Sequence, residues 1–300
     1  MTQTGRKVSA RVIVTADDFG LSPRVDAGIL EAFQRGVVRS TALLVNFPDV
    51  KDSIARLRQA PELEVGIHLN LTAGPPVLPS ERVPSLIKAD GNFHDFSTFF
   101  ALVVLRRISW DEVCREWEAQ LERGAELGCK FSFLTSHQHV HMLPEAARIF
   151  VKLARKYRVG AARLSRFRLG DMLRPLRLKG LALDLFVPSV RKTFQEQTLF
   201  CNDSIFEIPP GKPDAALVRL CGIVKGLGEG VHELVCHPGY VDSMLRDRDS
   251  YVAERTMELA VLTDAKLSAC LQSFGVELTT FRALETATTA EAKSTGSQSS

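Results

Sequence analysis

Asp17, Asp18, His68, His137, His139, His141 and His237 each stand at or near the end of a short apolar or β-branched run, and they include five of the seven histidines in the chain. Side chains spread this widely converge only if their strands run parallel and finish at one face, as in α/β barrels and open α/β sheets. The runs alternate with helical patterns, as βα units do. Arg11 to Thr15 reads as a first strand. Ser22 and Pro23 then supply an N-cap and a first-turn proline, and Val25, Ile29, Ala32 and Phe33 share one helical face before Gly36. Further strands are expected at Thr41 to Asn46, Glu64 to Leu71, Phe131 to Ser136, Val231 to His237 and Val276 to Thr280. Helices are expected at Val50 to Gln59, near 96–108 and 111–128, from Pro144 onward, and at Tyr251 to Leu262. Residues 72–95, rich in proline, form a long loop expected to face a substrate. Leu164 to Thr198 departs from the βα rhythm, and no fixed-period repeat is visible.

With 300 residues, 45% of them hydrophobic and 24% charged, the chain can bury one large core. A single barrel of about 250 residues fits, with short tails. The expected division is a flexible N-terminus over 1–9, one domain over 10–283, and a disordered tail over 284–300 that lacks large apolar residues after Leu284. A net charge of +3 argues against nucleic acid as a partner. Six widely spaced cysteines without a Cys-x-x-Cys pair read as reduced thiols. The polar start at Met1 to Ala10 is no signal segment, and charges interrupt every long apolar run, so a cytoplasmic, non-spanning protein is expected.

Asp17 and Asp18 follow the first strand directly, where neighbouring side chains point to different sides, so that one can hold a metal while the other faces substrate. A carboxylate beside a cation stays ionised while its neighbour can act as a base. His68 alone would read as a core histidine. SHQHVHM, however, places His137, His139 and His141 at period two, so an extended backbone would send all three to one side. His237, in CHPGY, ends another strand. Two histidines and a carboxylate leave coordination positions open for water and a carbonyl, the requirement of a metal-dependent hydrolase. The same trio occurs in non-haem iron oxygenases, though usually on a double β-sheet fold.

TADDFGLS at 15–22, GIHLNLTAG at 66–74, SHQHVHMLP at 136–144 and CHPGY at 236–240 resemble, in order and spacing, the YdjC-like carbohydrate deacetylases. The resemblance spans about 10–283 and implies an α/β fold, a distorted (β/α) TIM-like barrel in a single domain. It implies an enzyme that removes the N-acetyl group from an N-acetylglucosamine-type sugar and releases acetate. One divalent metal ion is implied, Mg²⁺ or Zn²⁺ foremost, with Mn²⁺ or Co²⁺ as alternatives. The metal ligands fall on Asp18, His68 and His137, the general base on Asp17, and the histidine of the late His-Pro motif on His237, which would protonate the leaving amine or polarise the intermediate. His139 and His141 fall in the supporting shell or against the sugar.

Residues 163–192 carry Arg163, Arg166, Arg168, Arg174, Arg177, Lys179, Arg191 and Lys192 against Asp171 and Asp184, interleaved with apolar residues. The segment reads either as a solvated face or as a peripheral contact with membrane lipid that presents a lipid-linked sugar at the inner membrane surface. A homodimer is in keeping with such a chain. The competing functional readings are a non-catalytic glycan or glycolipid binder on the same fold and a metal-dependent hydrolase of another bond.

Overall fold

The computed structural model of the chain describes residues 10–166 and 183–285. The expected tails therefore lie mostly outside the described residues, although Leu284 is buried. Nine strands are present among these residues: β1 (Ala10–Phe19), β2 (Ser40–Leu43), β3 (Glu64–Leu69), β4 (Phe133–Ser136), β5 (Ala161–Ala162), β6 (Phe200–Cys201), β7 (Ser204–Glu207), β8 (Gly230–Cys236) and β9 (Glu277–Thr279). They pair in parallel in the order β6-β5-β4-β3-β2-β1-β8-β7, with β9 beside the first half of β1.

The edge strands β6 and β7 are separated in the chain only by Asn202 and Asp203, so the sheet must curl for both to lie at its ends. Asn202 stitches that seam. Its side chain accepts from the Leu164 amide at 2.8 Å and donates to the carbonyls of Leu164 and Ser204 at 3.0 and 3.1 Å. The Ile205 amide donates to the Arg166 carbonyl at 2.8 Å. The result is a distorted (β/α) barrel in one domain, as the motifs implied.

The helices are α1 (Pro23–Arg35), α2 (Val50–Leu57), α3 (Phe96–Val104), α4 (Trp110–Glu126), α5 (Pro144–Lys156), α6 (Val187–Glu196), α7 (Pro213–Lys225), α8 (Ser243–Arg248), α9 (Ala253–Thr263) and α10 (Ala265–Ser273). The Ser22 hydroxyl caps α1 by accepting from the Val25 amide at 3.2 Å, as its sequence signature predicts. The expected helix near 96–108 stops at Val104 because Arg106 turns into the left-handed region at φ 55°. The loop 72–95 is tied to α4: Glu116 accepts from the Val77 and Leu78 amides at 2.9 and 3.0 Å, and Glu112 from the Ser85 amide at 2.8 Å.

Inside the barrel, Ile13, Ala42, Phe133, Ala161, Val231, Phe281 and Leu284 form an apolar floor, where the Phe133 and Phe281 rings stack at 4.6 Å. Gly66 makes room for it, since a Cβ there would lie 2.6 Å from the Phe133 ring. The buried Glu64 carboxylate holds the closing segment by accepting from the Phe281 and Arg282 amides at 3.0 and 2.7 Å. Among the described residues no helix is long and apolar enough to cross a membrane.

Candidate active site

Strand alternation places the chemistry above that floor. From Ile13, steps of two lead to Thr15 and Asp17; from Phe133, to Thr135 and His137; from Val231, to Glu233, Val235 and His237; and from Glu64, to Gly66 and His68. Ile13, Phe133 and Val231 are floor residues, so Asp17, His137 and His237 lie in register on the same inner side, nearer the C-terminal strand ends.

Alternation alone would turn Asp18 away. The register of β1 against β2 instead shifts between Ala16 and Phe19, and Asp18 adopts φ 69°, a conformation uncommon outside glycine. Gly20 follows at φ 90°, where a Cβ would stand 2.6 Å from the Leu44 carbonyl oxygen. This bulge swings both carboxylates toward His68, whose Nε2 lies 4.0 Å from Asp17 Oδ2 and 3.5 Å from Asp18 Oδ1. The expectation that the two aspartates face different sides is thereby corrected.

Each aspartate has its own buried guanidinium. Arg163 donates to Asp17 Oδ2 and Oδ1 at 2.6 and 2.9 Å, and to Glu233 Oε2 and Oε1 at 3.0 and 2.8 Å. Arg255 donates to Asp18 Oδ2 at 2.7 Å, to Asp249, and to the Tyr251 carbonyl at 2.8 Å. Burial pushes the Asp17 carboxyl up, but the charges of Arg163, His68 and His237 outweigh it and hold the group at about 2. Burial opposes ionisation of Asp18 too, and Arg255 with the three nearby histidines keeps it far below the usual carboxylate range. Burial lowers His68 to about 4 despite the pull of both aspartates.

The three-histidine segment is not extended. Residues 137–142 form a tight 3-10 turn in which Gln138 and His139 are both left-handed, at φ 54° and 56°. Two such residues in succession break the period of two, and the rings part. His137 meets His68 edge to face, with centroids 5.8 Å apart, and its Nδ1 shares a 2.7 Å hydrogen bond with the Thr72 hydroxyl. His139 pairs through Nδ1 with the Ser165 hydroxyl at 2.9 Å.

His141 is fully buried and stacks on Phe150, with Nδ1 bonded to the Ser136 hydroxyl at 2.6 Å and Nε2 to the Arg163 carbonyl at 3.0 Å. It supports Arg163 from behind, with both ring nitrogens engaged in hydrogen bonds. His237 donates its backbone N–H to Glu258, whose other oxygen accepts from the Tyr251 hydroxyl at 2.5 Å, and the Tyr251 ring flanks the His237 ring at 5.3 Å.

Burial also lowers the imidazole of His141, to about 3. Both His68 and His141 hold protons less tightly in the fold than at the free value of 6.5. The unfolded chain therefore takes up protons first as pH falls, so this contribution to stability is full above about pH 6.5 and is lost toward pH 4 and 3. The melting temperature of the protein should fall between about pH 6.5 and 4, before most carboxylates protonate. A melting temperature constant over that interval would contradict neutral buried rings.

Sequence reasoning missed Arg163, Arg255, Glu233, Glu258, Tyr251 and Thr72. A signal existed for two of them: Arg255 and Glu258 share the face of α9 that carries the buried Leu259 and Leu262, and charged side chains on an apolar helix face need partners. The basic stretch 163–192 also needs correction, because Arg163 is fully buried and committed to Asp17 and Glu233. Arg191 and Lys192 face Asp203 and Glu196 at 3.7 and 3.8 Å. Arg168, Asp171, Arg174, Arg177 and Lys179 lie outside the described residues.

The donor chemistry fits a divalent cation. Asp18 Oδ1 is buried without a hydrogen-bond partner and faces His68 Nε2. His137 can present Nε2 as a lone pair if Nδ1–H donates to Thr72. No three such donors among the described residues are already drawn into a cage.

A sequence profile described as YdjC-like protein matches residues 11–273. A carbohydrate deacetylase of Geobacillus stearothermophilus is 37% identical over 271 residues, covering 90% of this chain and 96% of that one. A carbohydrate deacetylase of Vibrio cholerae is 34% identical over 274 residues, covering 91% and 96%. Among solved structures, a protein of Enterococcus faecalis described as a candidate cellobiose-phosphate cleavage protein superposes with a TM-score of 0.76 at 28% identity, covering 92% of this chain and 99% of that one.

Proposed function

This chain belongs to the YdjC-like protein family, and on that premise we propose that it is a hydrolase that removes the N-acetyl group from an N-acetylglucosamine-type sugar and releases acetate. The observation that carries the reading is the pair of buried, ionised aspartates, each held by its own arginine and both turned to His68 at the strand ends, with His237 close enough to bias both. A pure glycan binder has no need of two adjacent buried carboxylates kept ionised by buried guanidinium groups and turned to one imidazole. The names of relatives that match nearly end to end point the same way.

Asp18, His68 and His137 would hold one divalent cation. When bound, such a cation supplies Lewis acidity toward an amide carbonyl and lowers the pKa of water. Asp17, fixed in orientation by two Arg163 hydrogen bonds, accepts the proton of the attacking water. His237, backed by Glu258 and flanked by Tyr251, delivers a proton to the departing nitrogen. The loop 72–95 supplies one wall through Thr72. We extend the reading to a lipid-linked sugar as the preferred substrate.

Acetate release from diacetylchitobiose and from a lipid-linked N-acetylglucosamine, with Zn²⁺, Mg²⁺, Mn²⁺ or Co²⁺ added, tests the proposal. Release from neither substrate with any of these metals overturns it. Thr72 offers a separate test of the ligand set. Thr72→Val should weaken Zn²⁺ binding about 10–100-fold in a calorimetric titration, and Thr72→Ser should restore it. Unchanged affinity in Thr72→Val would detach His137 from the metal.

A further inference from the structure

Val104 and Leu105 are 66% and 64% exposed at the end of α3. The rest of that helix is anchored: Phe96 and Phe99 are buried, and Phe100, Leu102 and Val103 are half-buried against the core. The exposed pair is followed at once by Arg106 and Arg107, both exposed. No acidic residue occurs between Asp95 and Asp111.

The topology fixes where this tip lies. β3 and β4 are adjacent and parallel, so α4 must carry the chain from the C-terminal side of the sheet back to the start of β4. The start of α4 at Trp110, and the few residues linking it to α3, therefore lie on the rim around the strand ends, the rim that carries Asp17, Asp18, His68 and His237. Leu185, 78% exposed, stands two residues before α6, and because α6 joins the adjacent parallel strands β5 and β6 its start belongs to that rim by the same logic.

Single exposed aliphatic residues are ordinary on protein surfaces. Two adjacent ones at a helix end, with two cations next to them that make no ion pair among the described residues, have the composition of an interfacial element. Its apolar side chains enter the headgroup and acyl boundary while arginines contact lipid phosphates. An apolar tip alone would suit a protein partner, but the unopposed cations favour an anionic surface.

We propose that the tip of α3 docks on an anionic lipid bilayer, with Val104 and Leu105 inserted and Arg106 and Arg107 on the phosphates. Docking there turns the rim of the site toward the membrane, where a lipid-linked sugar would be presented. The inference deepens the proposed function but is read without turnover, so failure of one leaves the other standing.

The test is co-sedimentation of the full chain with phosphatidylcholine vesicles, with and without phosphatidylglycerol. The protein should pellet with the anionic vesicles at low salt, less so at high salt, and not with phosphatidylcholine alone. Leu105→Asp, and separately the double variant Arg106→Glu/Arg107→Glu, should each reduce the bound fraction about tenfold at an unchanged melting temperature. Wild-type protein that stays in the supernatant overturns the proposal, as do variants that bind as well as wild type, which would move the contact elsewhere. Variants that turn a dimer into a monomer by size-exclusion chromatography would also overturn it, making the tip a contact between copies of the chain.

Discussion

Replacing Arg163 by methionine is expected to lower the stability of the protein by about 3–5 kcal/mol, because two fully buried carboxylates, Asp17 and Glu233, lose their shared cation. For a domain of this size that corresponds to a drop in melting temperature on the order of 10 °C. Methionine fills a similar volume, so the loss measures stranded charge more than lost packing. The pH dependence separates the two. In the variant the largest influence opposing burial is gone, leaving His68 and His237 at Asp17 and the Thr15 hydroxyl at Glu233, and both carboxyls are expected to rise toward or above their free values of 3.8 and 4.5. A carboxyl raised in the fold favours folding as pH falls through its raised value. The gap between wild type and Arg163→Met should therefore narrow from pH 7 toward pH 5. A gap independent of pH would show that the guanidinium matters for packing alone. Glu233→Gln should be milder, since Arg163 keeps Asp17 and the site retains charge balance.

The parallel βα order and the strand ends were legible because they depend on local patterns: apolar runs, the Ser22 cap, and period-two alternation that carries Ile13 to Asp17 and Phe133 to His137. What stayed hidden depends on backbone geometry or on long-range partners. Asp18 reaches the site only through a register shift and a left-handed residue, which alternation cannot anticipate. His139 and His141 match a strand pattern equally well, yet the turn at Gln138 and His139 sends one to Ser165 and the other behind Arg163. Arg163 reads as one cation in a basic stretch. Only the curled sheet, bringing the end of β5 across from β1 and β8, shows that it neutralises residues far away in sequence. The strands β5 and β6 carry only two residues each, too few for a period to be read, and the seam beside them is held by the Asn202 side chain and by the Ile205 amide on the Arg166 carbonyl.

Asp17→Asn should reduce acetate release by about 10²–10⁴-fold in kcat/KM, the range expected when a positioned general base is removed. At about 2, the Asp17 carboxyl is ionised at every working pH, so the wild-type site always has its acceptor in place. So acidic a group is also a weak base, and in the proposed mechanism its proton transfer would depend on both oxygens being oriented by Arg163 and on a bound cation acidifying the water. Asparagine keeps the shape but sets an amide N–H₂ against the guanidinium, donor against donor, so some stability is lost too and rates must be normalised to folded protein. Asp18→Asn gives the contrast. Asp18 carries the unpartnered oxygen facing His68, and its loss should abolish turnover and weaken metal binding together. Asp17→Asn should keep the metal and lose only the rate. Wild-type acetate release by folded Asp17→Asn would remove Asp17 from the chemistry and leave it as the buried counter-charge of Arg163.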